Sequence, residues 1–230
     1  MLKIKIAFQG EKGAYSHIAC EEIFKGAEIK TCSTFEETFN TAFEDESYRV
    51  IIPIENSLAG RVADIHYLLP KYKLQIYAEH FQTVQHCLLV KKESNIKDIK
   101  YVRSHSQAIG QCQKIIKKNN FQPIISADTA GSAKDLSANN DSSIAAIASE
   151  LSAKIYDLKI LEKNIEDEKG NVTRFLIMGK GIKQPDYTEG KKYITTCIFR
   201  LKSEPSALYK CLGGFATNQV NLTKLESFSV

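Results

Sequence analysis

The sequence predicts an α/β fold, and three observations predict it. Short apolar runs alternate with helical stretches along most of the chain. The joints between them are short and built from Gly, Ser, Thr, Asn and Asp. The composition, 43% hydrophobic and 25% charged over 230 residues, is that of a chain able to bury a core. Lys and Arg exceed Asp and Glu by 31 to 27. That excess is spread along the chain with no basic block, so nucleic acid is not an expected partner.

Taken in order, residues 3–8 read as a buried strand. Gln9-Gly10-Glu11-Lys12-Gly13 turns the chain into a helix from about Ser16. Residues 50–54 form a strand closed by Pro53, followed by Asn56-Ser57 and a helical pattern through Leu69. A longer β-like run over 81–91 separates this first group from a second. There, 99–103, 124–127 and 143–148 read as strands, each followed by a helix. Ser104 or Ser106, Thr129 to Ser132, and Ser149 stand at the helix starts as candidate caps. Residues 175–178 give a further strand. Residues 181–192, polar and carrying Pro185 and Gly190, read as a linker. Beyond it, 193–201, 204–216 and 220–225 read as β-α-β. A unit of about 38 residues lies below the size that normally folds alone.

Other classes are set aside on local grounds. No apolar run approaches the roughly 20 residues of a spanning helix. The N-terminus runs straight into a strand pattern, so no signal peptide and no membrane are expected, and the expected location is cytoplasmic. Six cysteines form no CxxC pair and five histidines no HExxH, so neither a metal nor a cofactor is expected.

The chemistry is expected at the strand-to-helix turns, where open α/β sheets bind ligands. Ser16, Asn56, Ser57, Ser104, Thr129, Ser132 and Ser149 sit at such turns. Helix N-termini there would suit a carboxylate, although for any one turn plain capping outweighs binding. Asn171-Val172-Thr173-Arg174-Phe175 is more unusual. It places a hydroxyl and a guanidinium at the mouth of an apolar strand, after the acidic run 166–168. Arg174 could pair bidentately with a ligand carboxylate, or simply with those acids.

Together these residues resemble the prephenate dehydratase family. Gly10-Glu11-Lys12-Gly13-Ala14-Tyr15-Ser16, Pro53-Ile54-Glu55-Asn56-Ser57-Leu58-Ala59-Gly60 and Thr173-Arg174-Phe175 match its motifs in order and spacing. His86-Cys87-Leu88-Leu89-Val90, Ser104-His105 and Thr129-Ala130-Gly131-Ser132-Ala133 resemble further family segments. The resemblance implies a catalytic region over 1–181 like a type II periplasmic binding protein, with substrate between two lobes. Lobe one would be about 1–78 with 173–181, and lobe two about 79–172. It implies a partial ferredoxin-like ACT segment over 193–230, after a linker at 182–192. Ala207, Leu208, Glu226 and Ser227 correspond there to the effector site for L-phenylalanine. A full ACT domain would continue past Val230, and Phe228-Ser229 stand where the family has Arg-Pro. Phenylalanine control is therefore expected to be weakened. Glu11 replaces a frequent Pro, and Ala14 a frequent hydroxyl residue.

The resemblance further implies decarboxylative dehydration of prephenate to phenylpyruvate, carbon dioxide and water, by a homodimer or homotetramer. Thr173 is implied as the catalytic group at the leaving hydroxyl. An alcohol is a weak acid, so it would polarise or relay rather than simply protonate. Asn56, Ser57, Gly60, Ser104, Thr129, Gly131, Arg174 and Phe175 are the implied substrate contacts, with Phe175 also suited to packing the hinge. Glu55 is a reserve proton relay or a salt-bridge residue. Arogenate as substrate, a non-catalytic binding protein and an inactive homologue stay open.

Overall fold

The structure, a computed structural model, describes residues 4–62, 65–183 and 186–227. Met1, Leu2 and Lys3 of the N-terminal segment, Pro185 of the linker, and Phe228, Ser229 and Val230 lie outside the described residues. Two units are distinguished, residues 1–185 and 186–230.

In the first unit the chain begins β1 (Lys5–Gln9), α1 (Tyr15–Ile23), β2 (Glu28–Cys32), α2 (Phe35–Glu44) and β3 (Tyr48–Asn56). It continues through the two-residue β4 (Gly60–Arg61), α3 (Ile65–Tyr72) and β5 (Gln75–Thr83). After 84–86 come β6 (Cys87–Val90), β7 (Tyr101–His105), α4 (Ser106–Gln111), α5 (Gln113–Lys118), β8 (Gln122–Ser126) and α6 (Thr129–Ala138). Then follow β9 (Ile144–Ala148), α7 (Glu150–Ile155), β10 (Lys159–Lys163) and β11 (Val172–Gly179).

These strands make two sheets. The first has the order β2-β1-β3-β11-β5, with β4 appended to β3; the second has the order β10-β6-β9-β7-β8. The parallel pairs β1/β2, β1/β3, β7/β8 and β7/β9 are the expected product of strand-helix-strand units. β11 returns to the first sheet antiparallel to both β3 and β5. The chain therefore crosses between sheets twice, at 84–86 and 164–171, and builds the two-lobe, type II periplasmic-binding-protein-like architecture. The outward crossing lies later than residue 78, because β5 pairs with β11 as far as Thr83.

Each lobe buries both faces of its sheet. In lobe one, Ala7, Val50, Ile52, Leu176 and Met178 pack with Phe39 of α2, while Ile6, Phe8, Ile51, Phe175 and Ile177 pack with Ala19 and Cys20 of α1. Alternation along β11 assigns its residues to opposite sides, so Phe175 and Ile177 face α1 while Leu176 and Met178 face α2. In lobe two, Leu88, Val102 and Ile147 pack with Ile109, Ile115 and Ile116, and Leu89 and Ala146 pack with Ala133 and Leu136.

β3 runs on to Asn56 rather than closing at Pro53. The register against β11 shifts between Arg174 and Phe175, leaving Ile54 as the extra residue of a β-bulge. A bulge interrupts the ladder, so the absence of an N–H at proline is tolerated beside it. The single helix expected after residue 103 is divided at Cys112, whose φ of −123° and ψ of 32° leave the helical region. The acidic run explains the second start: Asp167 accepts from Gln113 N at 2.8 Å and Lys114 N at 3.0 Å, capping α5.

The second unit, taken by itself, contains α8 (Ala207–Thr217). Among its described residues no strand forms, so the expected strands over 193–201 and 220–225 are not built, and the ferredoxin-like sheet is not present. The physical reason is pairing: a strand is stabilised by a neighbour's ladder, and a β-α-β piece of this size has little face on which to bury one. None of its described residues is buried, and Ile194, Phe199 and Tyr209 are exposed.

Candidate active site

The site is built where β3 ends against the start of β11. Thr173 pairs in register with Asn56. The Asn56 carboxamide is oriented by its own turn, since Leu58 N and Ala59 N donate to Oδ1 at 3.0 and 2.9 Å. This is an Asx-type turn, the local bonding that Asn favours outside helices. Its Nδ2 therefore points at β11. It donates to Thr173 Oγ1 at 2.9 Å and to Asn171 Oδ1 at 2.6 Å, with Val172 O at 3.3 Å. Ser57 pins the same junction. Its N donates to Val172 O at 2.8 Å, its Oγ donates to Gly170 O at 3.1 Å, and it accepts from Val172 N at 2.9 Å.

The network continues into lobe two. Asn171 Nδ2 donates to Gln111 Oε1 at 2.8 Å, and His86 Nε2 lies 3.1 Å from that same oxygen. On the other side of the ring, His86 Nδ1 lies 2.9 Å from the Tyr15 hydroxyl, which also reaches Gln85 O at 2.7 Å. His86 and Asn171 are buried, each 2% exposed. Burial pushes the His86 pKa below its ordinary value, opposed by the bond to Gln111 and by the charge of Glu166, and raises the Tyr15 phenol. Glu166 Oε2 accepts from His86 N at 3.0 Å.

This arrangement leaves Thr173 with a defined polarity. Its oxygen already receives the Asn56 N–H, so its own proton is available to be given to another acceptor. Thr173 is only partly buried, as is Asn56.

A second junction joins the lobes at Gly13. Its carbonyl accepts from Ser149 Oγ at 2.6 Å and Ser152 Oγ at 3.0 Å. Gly13 sits at φ +94°, and a Cβ there would lie 2.8 Å from Ser152 Cα, so glycine is required. Tyr156 OH donates to Lys12 O at 2.8 Å, and Lys134 pairs with Glu11 at 2.9 Å. Glu11 thus forms a lobe-to-lobe ion pair.

Asn56, Ser57 and Thr173 are brought together as the sequence suggests, with Gly60 beside them at the exposed β4 turn. Other expected contacts are placed elsewhere. Ser104 is fully buried, and its Oγ donates to Ile147 O at 2.7 Å, bracing the second sheet. Gly131 N is taken by the Asp128 cap at 2.6 Å, so it is not open to a carboxylate. Thr129 opens the same helix and is partly exposed. Arg174 lies on the β11 face opposite Thr173. It is held by Glu79 through Nε at 2.8 Å and Nη2 at 2.7 Å, and by Glu55 at 3.3 Å, rather than by the acids of 166–168. Phe175 is 1% exposed in the core against α1, which is packing. Glu55 is engaged with Arg174, as a salt-bridge residue would be.

Tyr15, His86, Gln111 and Asn171 join the site without having been singled out for it. Tyr15 and His86 lie inside recognised motifs, but as family landmarks rather than as polar partners. Asn171 opens the 171–175 stretch that stands out in the sequence, though with no role assigned to it there, and no local signal marks Gln111. Among the described residues no cluster of His, Cys, Asp and Glu is arranged to hold a metal ion. Among them, no helix is long and apolar enough to cross a membrane.

The prephenate dehydratase family model matches residues 6–183. A bifunctional N-acyl-homoserine lactone acylase/prephenate dehydratase from Komagataeibacter europaeus is 41% identical over 226 residues, covering 97% of this chain and 79% of that protein. Arogenate dehydratase/prephenate dehydratase 2 from Arabidopsis thaliana is 38% identical, covering 98% of this chain and 58% of that protein. The chain thus spans a little over half the length of this plant relative. A solved structure described as a quorum-quenching acylase is 38% identical with a TM-score of 0.84, over 98% of this chain and 81% of that one. Prephenate dehydratase from Arthrobacter aurescens, solved with L-Phe, has a TM-score of 0.85 at 24% identity, over 98% and 76% of the two chains, and shares the fold. The chain belongs to the prephenate dehydratase family.

Proposed function

We propose that this chain converts prephenate to phenylpyruvate, carbon dioxide and water. The carbon–carbon bond to the ring carboxylate breaks and its electron pair enters the ring. The ring carbon–oxygen bond breaks in turn, and the oxygen leaves with its pair and takes up one proton as water. Aromatisation drives the reaction, so the protein has to hold a dianion and ease the departure of one hydroxyl. The observation that carries this reading is the polarity of Thr173. Its oxygen accepts from Asn56 at 2.9 Å, so its proton is directed to a substrate oxygen.

Thr173 then acts as a hydrogen-bond donor to the leaving hydroxyl, and the proton that completes water comes from solvent. Thr129 supplies a contact to a carboxylate, while the Ser57–Ala59 turn, whose groups are already bonded to Asn56 and to 170–172, frames the site. The same geometry speaks against transplanting the acylase activity named for the Komagataeibacter relative onto Thr173. A nucleophilic hydroxyl gives its proton to an adjacent base, whereas Thr173 faces the amide donor of Asn56.

Arogenate differs from prephenate by an amine in place of the ketone and is the second substrate to test. Residues 193–230 are read as an ACT-like segment, in which Ala207, Leu208, Glu226 and Ser227 would meet L-phenylalanine with weakened effect. The assembly would be a homodimer or homotetramer, in the cytoplasm. Turnover of purified chain with prephenate, followed as phenylpyruvate absorbance in alkali, tests the reading, with arogenate and L-phenylalanine as further arms. Product from prephenate supports it. A folded chain giving product from neither substrate overturns it. Light scattering tests the assembly.

A further inference from the structure

We infer that His86 is a positioning residue which, through Gln111, holds the Asn171 carboxamide in the sense that receives the Asn56 N–H beside Thr173. The inference rests on the role given to Thr173 above. Its warrant is the sense of each hydrogen bond in a chain that begins at the backbone. The amides of Leu58 and Ala59 can only donate, so the Asn56 oxygen must face them and its NH2 must face Asn171 and Thr173. Asn171 then presents its oxygen to Asn56 at 2.6 Å and its NH2 to Gln111 at 2.8 Å. The Gln111 oxygen only accepts, so the His86 nitrogen 3.1 Å away must carry a proton. That nitrogen is Nε2.

Burial keeps His86 neutral near pH 7, so the ring has a single N–H and Nδ1 is bare. The Tyr15 hydroxyl donates to Gln85 O at 2.7 Å, and the bare Nδ1 2.9 Å away is the second, longer acceptor of that one proton. No member of the chain can reverse alone. Turning one carboxamide would set two acceptors or two donors against each other at the next joint, in a buried place where an unmade bond is costly. His86 therefore closes the chain at the end away from Thr173. Its Nε2–H is what keeps Gln111, and through it Asn171, in the sense that Asn56 needs. The residues joined come from the head of α1, the end of β3, the 84–86 and 164–171 crossings, the end of α4 and the start of β11, so the chain ties both lobes to one hydroxyl.

Two measurements test this. In chain carrying ¹⁵N-histidine, long-range ¹H–¹⁵N correlations report which ring nitrogen is protonated, and the His86 signals are those lost in His86→Gln. Nε2–H with bare Nδ1 at neutral pH is expected; Nδ1–H overturns the inference. In prephenate turnover, His86→Leu should lower kcat about ten- to a hundredfold, with KM held within about twofold. His86→Gln, whose side-chain amide reaches the Nε2 position, should regain most of that loss. His86→Asn, which reaches only the Nδ1 position, should not. Melting temperatures are recorded for all three. Equal losses in the Gln and Asn variants, or losses that track melting temperature, would make His86 a packing residue and overturn the inference. A folded wild-type chain that leaves prephenate untouched overturns the functional reading alone, and the spectrum still decides the tautomer.

Discussion

After β3, Asn56 spends its oxygen on the amides of its own turn and its NH2 on Asn171 and Thr173, and Thr173 keeps a proton to give. At the head of α6, Asp128 takes the Gly131 amide, and Ser132 returns its hydroxyl to Asp128 O. At the head of α7, Ser149 takes the Ser152 amide and gives its own proton to Gly13 O. These turns share their residue types and their place at the ends of strands. They differ in their accounts: the Gly131 and Ser152 amides and the Ser132 and Ser149 hydroxyls are spent inside the protein, while the first lobe's junction ends in a hydroxyl with its proton unspent. A small polar turn becomes a candidate for chemistry only when that account leaves something over.

The sharpest way to break this comparison is to remove the hydroxyl. Thr173→Ala should lower turnover at least ~10²-fold, while KM changes little, because the donor acts on the departing oxygen. Thr173→Ser keeps the donor and should lose far less. An Ala variant that turns over normally would place Thr173 with the closed turns of lobe two.

A smaller effect is expected on reversing the polarity next door. Asn56→Asp keeps an acceptor for Leu58 and Ala59 but has no proton for Thr173 or Asn171. Its carboxylate would draw the Thr173 proton inward and face the Asn171 oxygen. Turnover should fall at least about tenfold, with a lower melting temperature from two acceptors in opposition. Steady-state kinetics and a thermal melt on the same sample check both. Unchanged kinetics would mean that the direction of the Thr173 proton is immaterial.

The third test acts on a closed turn. Asp128→Ala removes a helix cap worth about 1 kcal/mol, or roughly 2–4 °C in a protein of this size. It should leave kcat and KM alone. A changed KM would show that the Gly131 amide, once released, meets the substrate after all.

How much of this was legible in the sequence follows from the same accounting. Apolar runs such as 50–52 and 144–148 show as strands because burial fixes their pattern, and both are fully or nearly buried. Thr173 and Asn56 stood out by motif. Yet their bond spans 117 positions in sequence, and the Asn171 to Gln111 bond spans 60, so neither appears in any local window. Arg174 was ambiguous because strand alternation sets its face, and only the neighbouring strands reveal Glu55 and Glu79 there. The tail misled for a related reason. Alternation over 193–201 is a condition for a strand and does not supply the neighbour that makes one.

The smallest effect concerns pH and sets two buried histidines side by side. Burial lowers the pKa of both His17 and His86. In each case the folded value lies below the unfolded value of about 6.5, so the unfolded chain binds more protons across that gap. Stability is then complete above about pH 6.5 and is lost as pH falls through the folded values. The two differ in what protonation breaks. Glu166 and Tyr15 face His86, and Tyr15 can accept from a protonated Nδ1 while giving its own proton to Gln85 O. His17 faces Glu21 and Lys12, and its Nδ1 accepts from Gly13 N at 3.0 Å, a bond that protonation of Nδ1 abolishes. Acid should therefore loosen the chain first at Gly13, where the lobes meet, rather than at Thr173. His17→Asn places an untitratable oxygen where Nδ1 stood. Its melting temperature should fall less than that of wild type between pH 7 and pH 5. An acid limb identical to wild type would mean that the Gly13 junction does not carry the titration, and that the hydroxyl network, for all its buried groups, is the more fragile of the two.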